Sequence, residues 1–203
     1  MTTPGLRERK KQQVRERISG IATMLFFERG FDEVSVAEIA EAAGVSKMTV
    51  FNYFPRKEEL FFDRMPQLIE MITSAVRDRQ PGVTAPDALR DLWVGLFDAR
   101  HPLAGMHDDM GVFWRVVLGS TALRARVREV LEEIEALMAR LFAEAGEPHP
   151  EMTAALVLAA VRVRYAESAR RIMGGEPADS FRAGQRARIV AAWNEAVAAA
   201  SRA

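Results

Sequence analysis

The chain has 203 residues, of which 49% are apolar and 28% are charged, and its formal net charge is zero. This apolar fraction is large enough for a hydrophobic core, so the composition excludes an intrinsically disordered chain. The absence of cysteine excludes disulfides and thiolate zinc sites, and it favours a reducing, cytoplasmic location. The N-terminus lacks the apolar stretch of a secretory signal, and no uncharged run is long enough to span a membrane.

Positive charge is concentrated at the N-terminus. Residues 1–19 contain six basic and two acidic side chains, although the whole chain is neutral. A local excess of positive charge fits a nucleic-acid contact confined to one end of the protein. It fits a solvated N-terminal tail equally well, so both interpretations stay open on charge alone.

Helical periodicity runs through the whole chain, without a convincing strand pattern. Apolar residues between positions 14 and 26 recur at spacings of three and four, which predicts a first helix from about Leu6 to Arg29. A fourth helix is predicted from about Arg56 to Arg79, with Pro66 expected to kink or interrupt it. Proline, glycine and serine punctuation predicts the other helices, at about 36–43, 47–53, 85–100, 106–119, 120–145, 151–173 and 179–202.

These elements predict an all-α protein with two domains. Residues 1–55 are expected to form a small helix-turn-helix domain, and residues 56–203 a larger helical domain. The predicted fourth helix is the connector between them.

Residues 34–54 have the spacing of a helix-turn-helix. Ser35 and Glu38 form a predicted capping box, and Ser46 is expected to cap the second helix of the motif. Gly44 suits the left-handed conformation of the tight turn between the two helices. Small and apolar residues at the intervening positions pack the helices together, which leaves a short second helix able to enter a DNA major groove.

Residues 15–62 resemble the DNA-binding domain of the TetR (tetracycline repressor) family of transcriptional regulators. The residues that carry the resemblance are Ala22, Leu25, Phe26, Gly30 and Phe31, then residues 36–47 and 49–60. The resemblance implies an N-terminal three-helix helix-turn-helix domain and a C-terminal helical domain for ligand binding and dimerisation. Phe51 stands where the family usually has Tyr, so a hydroxyl contact to phosphate is expected to be missing, and Met48 stands where it often has Gly.

Candidate DNA contacts follow from side-chain chemistry. Lys47, Thr49 and Asn52 are candidate base readers, because lysine can reach guanine and asparagine can bond adenine through two hydrogen bonds. Met48 is suited to an apolar contact with a thymine methyl group. The candidate phosphate contacts are Arg15, Ser35, Ser46, Tyr53 and Lys57, with the two serines expected to act first as helix caps.

The C-terminal part is rich in Trp, Phe and Met, which suits an ordinary core or an apolar effector pocket with adaptable walls. The candidate pocket residues are Leu68, Ile72, Trp93, Phe97, Phe113, Trp114, Val117, Arg162 and Tyr165. The last two helices carry small and aromatic residues suited to close packing, and the resemblance implies a homodimer interface built from them. The candidate interface residues are Leu158, Tyr165, Val190, Trp193 and Val197, with intramolecular core as the alternative for each.

No catalytic residue, metal site or cofactor is predicted. The sequence has no G-x-S-x-G, phosphate-binding loop or H-E-x-x-H motif. His101 and His107 are six residues apart, which is no recognised spacing for metal ligands.

The residues and the resemblance together predict a ligand-responsive homodimeric repressor. It is expected to bind a palindromic operator in double-stranded DNA and to be released by a small apolar effector. The fourth helix is the expected lever, changing the separation of the two recognition helices when the effector binds. The alternative is a helical small-molecule binding protein with a vestigial helix-turn-helix, which Phe51 favours.

Overall fold

A computed structural model describes residues 5–202, and for Leu6 and Glu8 it describes the backbone alone. All regular structure in this range is helical, which confirms the predicted fold class. The helices are α1 Leu6–Arg29, α2 Val36–Ala42, α3 Lys47–Tyr53, α4 Lys57–Phe61, α5 Met65–Arg77, α6 Ala85–Asp98, a 3-10 helix Pro102–Ala104, α7 Met110–Gly119, α8 Thr121–Glu144, α9 Pro150–Met173 and α10 Ala178–Ala200. None of the helices described has the length and hydropathy needed to cross a membrane.

The chain divides into two compact units. The first unit contains the chain up to Asp63 together with residues 115–126, and the second contains residues 64–114 and those from 127 onward. The sequence placed the boundary at residue 55 instead. The first unit extends past that point because α4 buries Leu60 and Phe61, and the Phe61 ring lies 6.0 Å from that of Phe26 on α1.

The predicted fourth helix is interrupted near Pro66, which is one of the two outcomes that the sequence left open. α4 ends at Phe61, α5 begins at Met65, and Pro66 lies in the first turn of α5. Proline is favoured in a first turn because the missing N–H would have no intrahelical partner there. Pro66 therefore starts a helix rather than kinking one, and the connector is not the continuous lever that the sequence suggested.

The first unit is built on one buried face of α1. Ile18, Ala22 and Phe26 recur at spacings of four and are each 0% exposed. Ile39 of α2 and Val50 of α3 complete this core and are also fully buried. α2 packs against both α1 and α3, and the polar face of α3 is left for solvent.

The second unit has two apolar clusters. One joins α5, α6, α8 and α9 to Trp193 of α10, and the other joins the end of α6 and the loop after it to α7, α9 and α10. α9 and α10 also pack against each other. Between them, the side-chain amide of Gln185, which is fully buried, donates a 2.7 Å hydrogen bond to the Arg164 carbonyl.

Candidate nucleic-acid interface and apolar cavity

The turn between α2 and α3 sets the direction of α3. Ser35 Oγ accepts a hydrogen bond from the Glu38 N–H, and Glu38 Oε2 accepts one from the Ser35 N–H at 2.8 Å. This capping box satisfies two backbone donors at the start of α2. Gly44 has φ +63°, a left-handed conformation that suits glycine. Ser46 then caps α3, because its Oγ accepts the Thr49 N–H at 3.0 Å.

An open cleft of about 730 Å³ lies between α1 and α3. Its basic wall comes from the first turns of α1, and its polar wall comes from α3. The lining residues are Arg7, Lys10, Lys11, Val14, Thr49, Asn52 and Tyr53. The α1 positions are spaced i, i+3, i+4 and i+7, so they share one helix face. Positive charge therefore adjoins hydrogen-bonding side chains in one concave surface.

The exposed face of α3 carries several of the predicted base readers. Met48 is 69% exposed, and Lys47 and Asn52 are exposed as well. Phe51 is also exposed, and Lys47 Nζ lies 5.8 Å from its ring centroid. Thr49 differs from these residues, because its hydroxyl is 2.8 Å from Ser46 Oγ and belongs to the helix cap.

Arg15 is directed into the first unit rather than towards the cleft. Its guanidinium donates to the Tyr53 carbonyl at 3.0 Å and to the Asp63 carbonyl at 3.2 Å, and it lies 4.3 Å from the Phe54 ring centroid. These contacts tie α1 to the ends of α3 and α4. The structure thus gives Arg15 a stabilising role where the sequence predicted a phosphate contact.

Lys57 is also directed inward. Its Nζ donates a 2.6 Å hydrogen bond to the Phe31 carbonyl and lies 4.2 Å from the Phe31 ring centroid. Partial burial lowers the pKa of Lys57, and the nearby Asp32 carboxylate opposes that shift. In this conformation Lys57 fastens α4 to the end of α1. The sequence predicted instead that Lys57 presents its charge to a phosphate.

The second unit contains a narrow cavity of about 20 Å³, room for roughly one water molecule. Three predicted pocket residues, Trp93, Phe97 and Tyr165, line it together. The other lining residues are Val94, Ala104, Val161, Arg186, Ile189 and Val190. Arg186 is already paired, because its guanidinium makes two hydrogen bonds to Asp98 at 2.7 and 2.9 Å.

The remaining predicted pocket residues do not line this cavity. Leu68 and Ile72 are buried in the α5 core, and Val117 is buried on a segment of the first unit. Arg162 is exposed on α9. These four side chains therefore lie outside the cavity lining. Phe113 and Trp114 pack against the apolar cluster that includes Phe97.

The predicted dimer residues face the interior of the second unit. Tyr165 and Val190 line the cavity, Trp193 is 1% exposed, and Val197 packs against the core around it. Leu158 is half-buried. A side chain buried in its own subunit offers no surface to a partner, so Trp193 in particular cannot anchor an interface in this conformation.

A different stripe of α9 and α10 is exposed. Met152 and Val163 are 47% and 52% exposed, and Ala159 is exposed as well. With Leu156, which is half-buried and also packs against the core, they recur at spacings of three and four along one face of α9. The exposed positions of α10 include several small residues, among them Gly184, Ala187, Ala191 and Ala198. The dimer interface stays a prediction, and α9 and α10 carry apolar residues on more than one side.

The sequence interpretation included the basic residues of α1 in a nucleic-acid contact at the N-terminus, but only as a group. It did not assign Arg7, Lys10 and Lys11 to one surface with α3. Their helical spacing was the available signal, since positions 7, 10, 11 and 14 fall on one face. No group of three His, Asp or Glu side chains that could hold a metal ion comes together in the described range.

Residues 21–63 match the family described as bacterial regulatory proteins, tetR family. The matched segment contains the C-terminal part of α1, the helix-turn-helix and α4. Over this segment the chain is similar to the TetR family. The match includes the α3 wall of the cleft and excludes the cavity of the second unit, so it carries no information about a ligand.

Curated transcriptional regulators match this chain over part of their length. The HTH-type transcriptional regulator TcmR of Streptomyces glaucescens is 28% identical over 143 residues, which cover 69% of this chain and 63% of that protein. The matches to the next three relatives span 32% to 41% of their lengths. The chain therefore aligns with less than two thirds of each of these relatives.

Solved structures share this fold over nearly the whole chain. A TetR-family transcriptional regulator from Mesorhizobium loti is 19% identical with a TM-score of 0.60, covering 93% of this chain and 96% of that one. A structure described as a SmeT–triclosan complex is 16% identical with a TM-score of 0.60, covering 92% and 91%. At this identity the likeness concerns the fold alone.

Proposed function

We propose that the protein is a ligand-responsive homodimeric repressor that binds a palindromic operator in double-stranded DNA. The observation that carries this proposal is the cleft in which cations of α1 adjoin polar side chains of α3. Cations bind the phosphate backbone whatever the sequence, whereas polar side chains on a short helix read base edges in the major groove. One cleft therefore supplies both kinds of contact.

The two walls of the cleft have different roles in this proposal. Arg7, Lys10 and Lys11 bind phosphates, and they replace Arg15 and Lys57, which are engaged inside the first unit. Asn52 is the principal base reader, because its exposed amide can bond adenine N6 and N7 together. Met48 contacts a thymine methyl, an apolar group that suits its exposed thioether side chain.

The partner in the dimer is a second copy of the chain. α3 has seven residues and reads only a short half-site, so a specific operator needs two such helices about 34–36 Å apart. The exposed stripe of Met152, Leu156, Ala159 and Val163 supplies the interface, together with the small exposed residues of α10. Small residues let helices approach closely, and association removes the apolar side chains from water.

The effector site is the cavity of the second unit. Its walls are mostly apolar and aromatic, including Trp93, Phe97 and Ile189, so the ligand is a small and largely apolar molecule. The SmeT–triclosan complex supports this step, since its description places a small molecule on a protein of the same fold. The cavity holds about one water, so binding the effector requires side chains to move.

Helix α7 is the proposed coupling element. Its first half, up to Trp114, belongs to the second unit, and its second half belongs to the first unit. A displacement of Trp114 by the effector is therefore passed along one continuous helix to residues that fold with the helix-turn-helix. This replaces the fourth-helix lever, because the chain is broken between α4 and α5.

A second candidate is a small-molecule binding protein whose helix-turn-helix no longer binds DNA. The inward contacts of Arg15 and Lys57 favour it, because two expected phosphate ligands are engaged elsewhere. Phe51 also favours this candidate, because it has no hydroxyl group to contact a phosphate. The cleft retains three other cations, which is why we place DNA binding first.

Selection from random double-stranded DNA with the full chain tests the proposal. The expected result is an enriched inverted repeat that the protein binds at about 10⁻⁸ M or better at physiological salt. An Asn52→Ala variant is expected to relax the preference at one position in each half-site, by about 1–3 kcal/mol. Recovery of no repeat by folded protein would reject the repressor and favour the second candidate.

A further inference from the structure

Three hydrogen-bond donors near the cavity lack acceptors. Trp114 Nε1 and Arg182 Nη1 are buried and have no hydrogen-bond partner among the described residues. Burial also raises the pKa of the Tyr165 hydroxyl, and no hydrogen bond from the described residues contributes to that shift. A buried donor without an acceptor is costly, so such groups call for an explanation.

The three donors converge on the turn at Gly105 and Met106. A Cβ atom on Gly105 would lie 1.8 Å from Tyr165 Oη, so the hydroxyl occupies the space that a side chain would fill. Arg182 Nη2 donates to the Met106 carbonyl. The Trp114 ring stands edge-on to the Tyr165 ring with 6.2 Å between the ring centroids, so the indole that carries the third donor packs beside this corner.

This corner is continuous with the cavity. Tyr165 lines the cavity directly, and the Arg182 guanidinium lies 5.7 Å from the ring centroid of Phe97, another lining residue. The Met106 carbonyl already accepts from Arg182 Nη2, and Asp179 accepts from Arg182 Nε at 2.8 Å, yet Arg182 Nη1 and Trp114 Nε1 remain without partners. One end of an apolar cavity therefore adjoins unpaired donors.

We infer that the effector is a flat apolar molecule ending in an acceptor oxygen, either a carbonyl or a carboxylate, bound by Trp114, Tyr165 and Arg182. This inference rests on the proposed function and specifies the ligand class of its cavity. A ligand ending in an amine is disfavoured, because an amine brings donors to a corner that already has three. An oxygen acceptor satisfies at least one of the unpaired donors and gains affinity from it.

Calorimetric titration with four matched naphthalene probes tests the inference. The probes are 2-naphthoate, methyl 2-naphthyl ketone, 2-methylnaphthalene and 2-naphthylmethylamine. We expect the ketone, the carboxylate or both to bind at least about tenfold more tightly than the methyl and amine compounds. The first two probes distinguish a carboxylate from a neutral carbonyl as the preferred end.

Conservative variants assign the effect to the donors. Trp114→Phe and Tyr165→Phe keep the rings and remove one donor each, so each is expected to weaken the preferred oxygen probe about fivefold and leave 2-methylnaphthalene unchanged. Trp193→Phe is the matched control, because its indole N–H is also buried and unpartnered but lies in the other apolar cluster. It is expected to change neither probe. Thermal unfolding of each variant confirms that the fold is retained.

Three results would overturn the inference: equal binding of all four probes, equal losses in Trp193→Phe and the two site variants, or no binding of any probe up to about 1 mM. DNA binding to the selected operator is measured in parallel. Intact DNA binding with no donor dependence rejects only the ligand class. Donor-dependent probe binding without specific DNA binding rejects the repressor and keeps the ligand class.

Discussion

Ser120 donates a 2.7 Å hydrogen bond from its hydroxyl to the carboxylate of Asp32. Ser120 is 1% exposed and lies between α7 and α8, whereas Asp32 lies in the loop between α1 and α2. The bond joins two segments that are 88 residues apart within one compact unit. It gives a physical reason why residues 115–126 fold with the helix-turn-helix rather than with the second unit.

Replacing Asp32 by Ala is expected to loosen that attachment. A hydrogen bond to a charged group at a partly exposed site contributes about 1 kcal/mol, so the thermal midpoint should fall by about 2–4 °C. Glu33→Ala is the matched control, because it removes the same charge from the neighbouring exposed position. Calorimetry measures both variants, and equal midpoints would show that the Asp32 bond adds nothing to stability.

Arg15 is expected to act through stability rather than through DNA. Arg15→Gln removes the bonds to the Tyr53 and Asp63 carbonyls and the contact with the Phe54 ring. The thermal midpoint should fall by several degrees, while Arg17→Gln, at an exposed position of the same helix, leaves it unchanged. An unchanged midpoint in Arg15→Gln, combined with a shallower salt dependence of DNA binding, would restore the phosphate contact that the sequence predicted.

The capping box makes stability depend on pH. Glu38 accepts the Ser35 backbone and hydroxyl hydrogen bonds and pairs with Arg29, which together lower its pKa to about 2 from 4.5. Because the pKa is lower in the folded state, the stabilisation is present above about pH 4.5 and is lost as the pH falls towards 2. Glu38→Gln should therefore lower the thermal midpoint at neutral pH. The difference in midpoint from the wild-type protein should become smaller as the pH falls below 4.5.

Glu41→Gln provides the comparison for that titration, because Glu41 is exposed on the same helix. Its midpoint should follow the wild-type protein at each pH. A Glu38→Gln effect that stays constant from pH 7 to pH 3 would mean that the carboxylate charge does not contribute to the cap.

The exposed α9 stripe predicts which substitutions separate the dimer. Val163→Glu places a charge in the proposed interface and should convert the dimer to a monomer in light-scattering measurements. Leu118→Glu is the matched control, because Leu118 is 51% exposed and lies in the first unit. A dimer that survives Val163→Glu and dissociates in Leu118→Glu would place the interface elsewhere.

The local features of the fold were predictable because their signals are local. A helix cap is predicted by Ser35 and Glu38, and a turn by Gly44, each from a few neighbouring residues. The structure has both. Periodicity likewise placed the start and end of α1 correctly. The sequence left open whether Pro66 interrupts or kinks a helix, since a proline suits a first turn as well as a kink, and the structure has the interruption.

The direction of long side chains was not predictable from the sequence. Arg15 and Lys57 have the charge for phosphate binding, but backbone carbonyls and aromatic rings brought near them by the fold engage both. Trp193 has the size of an interface anchor, yet it is buried in its own subunit. Such outcomes depend on contacts between residues far apart in the chain, which spacing along one helix does not encode.

The salt dependence of operator binding tests the central claim most directly. The full chain is titrated onto the selected operator at several salt concentrations, alongside an Arg7→Gln, Lys10→Gln, Lys11→Gln triple variant. Each phosphate contact contributes about 0.9 to the steepness of the plot of log K against log salt concentration. The triple variant removes three contacts from each subunit, so the slope for a dimer should be shallower by about five. The control removes three exposed cations of the second unit, through Arg128→Gln, Arg140→Gln and Arg202→Gln. We predict that the control keeps the wild-type slope. Equal slopes in all three proteins would contradict the assignment of the α1–α3 cleft as the DNA-binding surface.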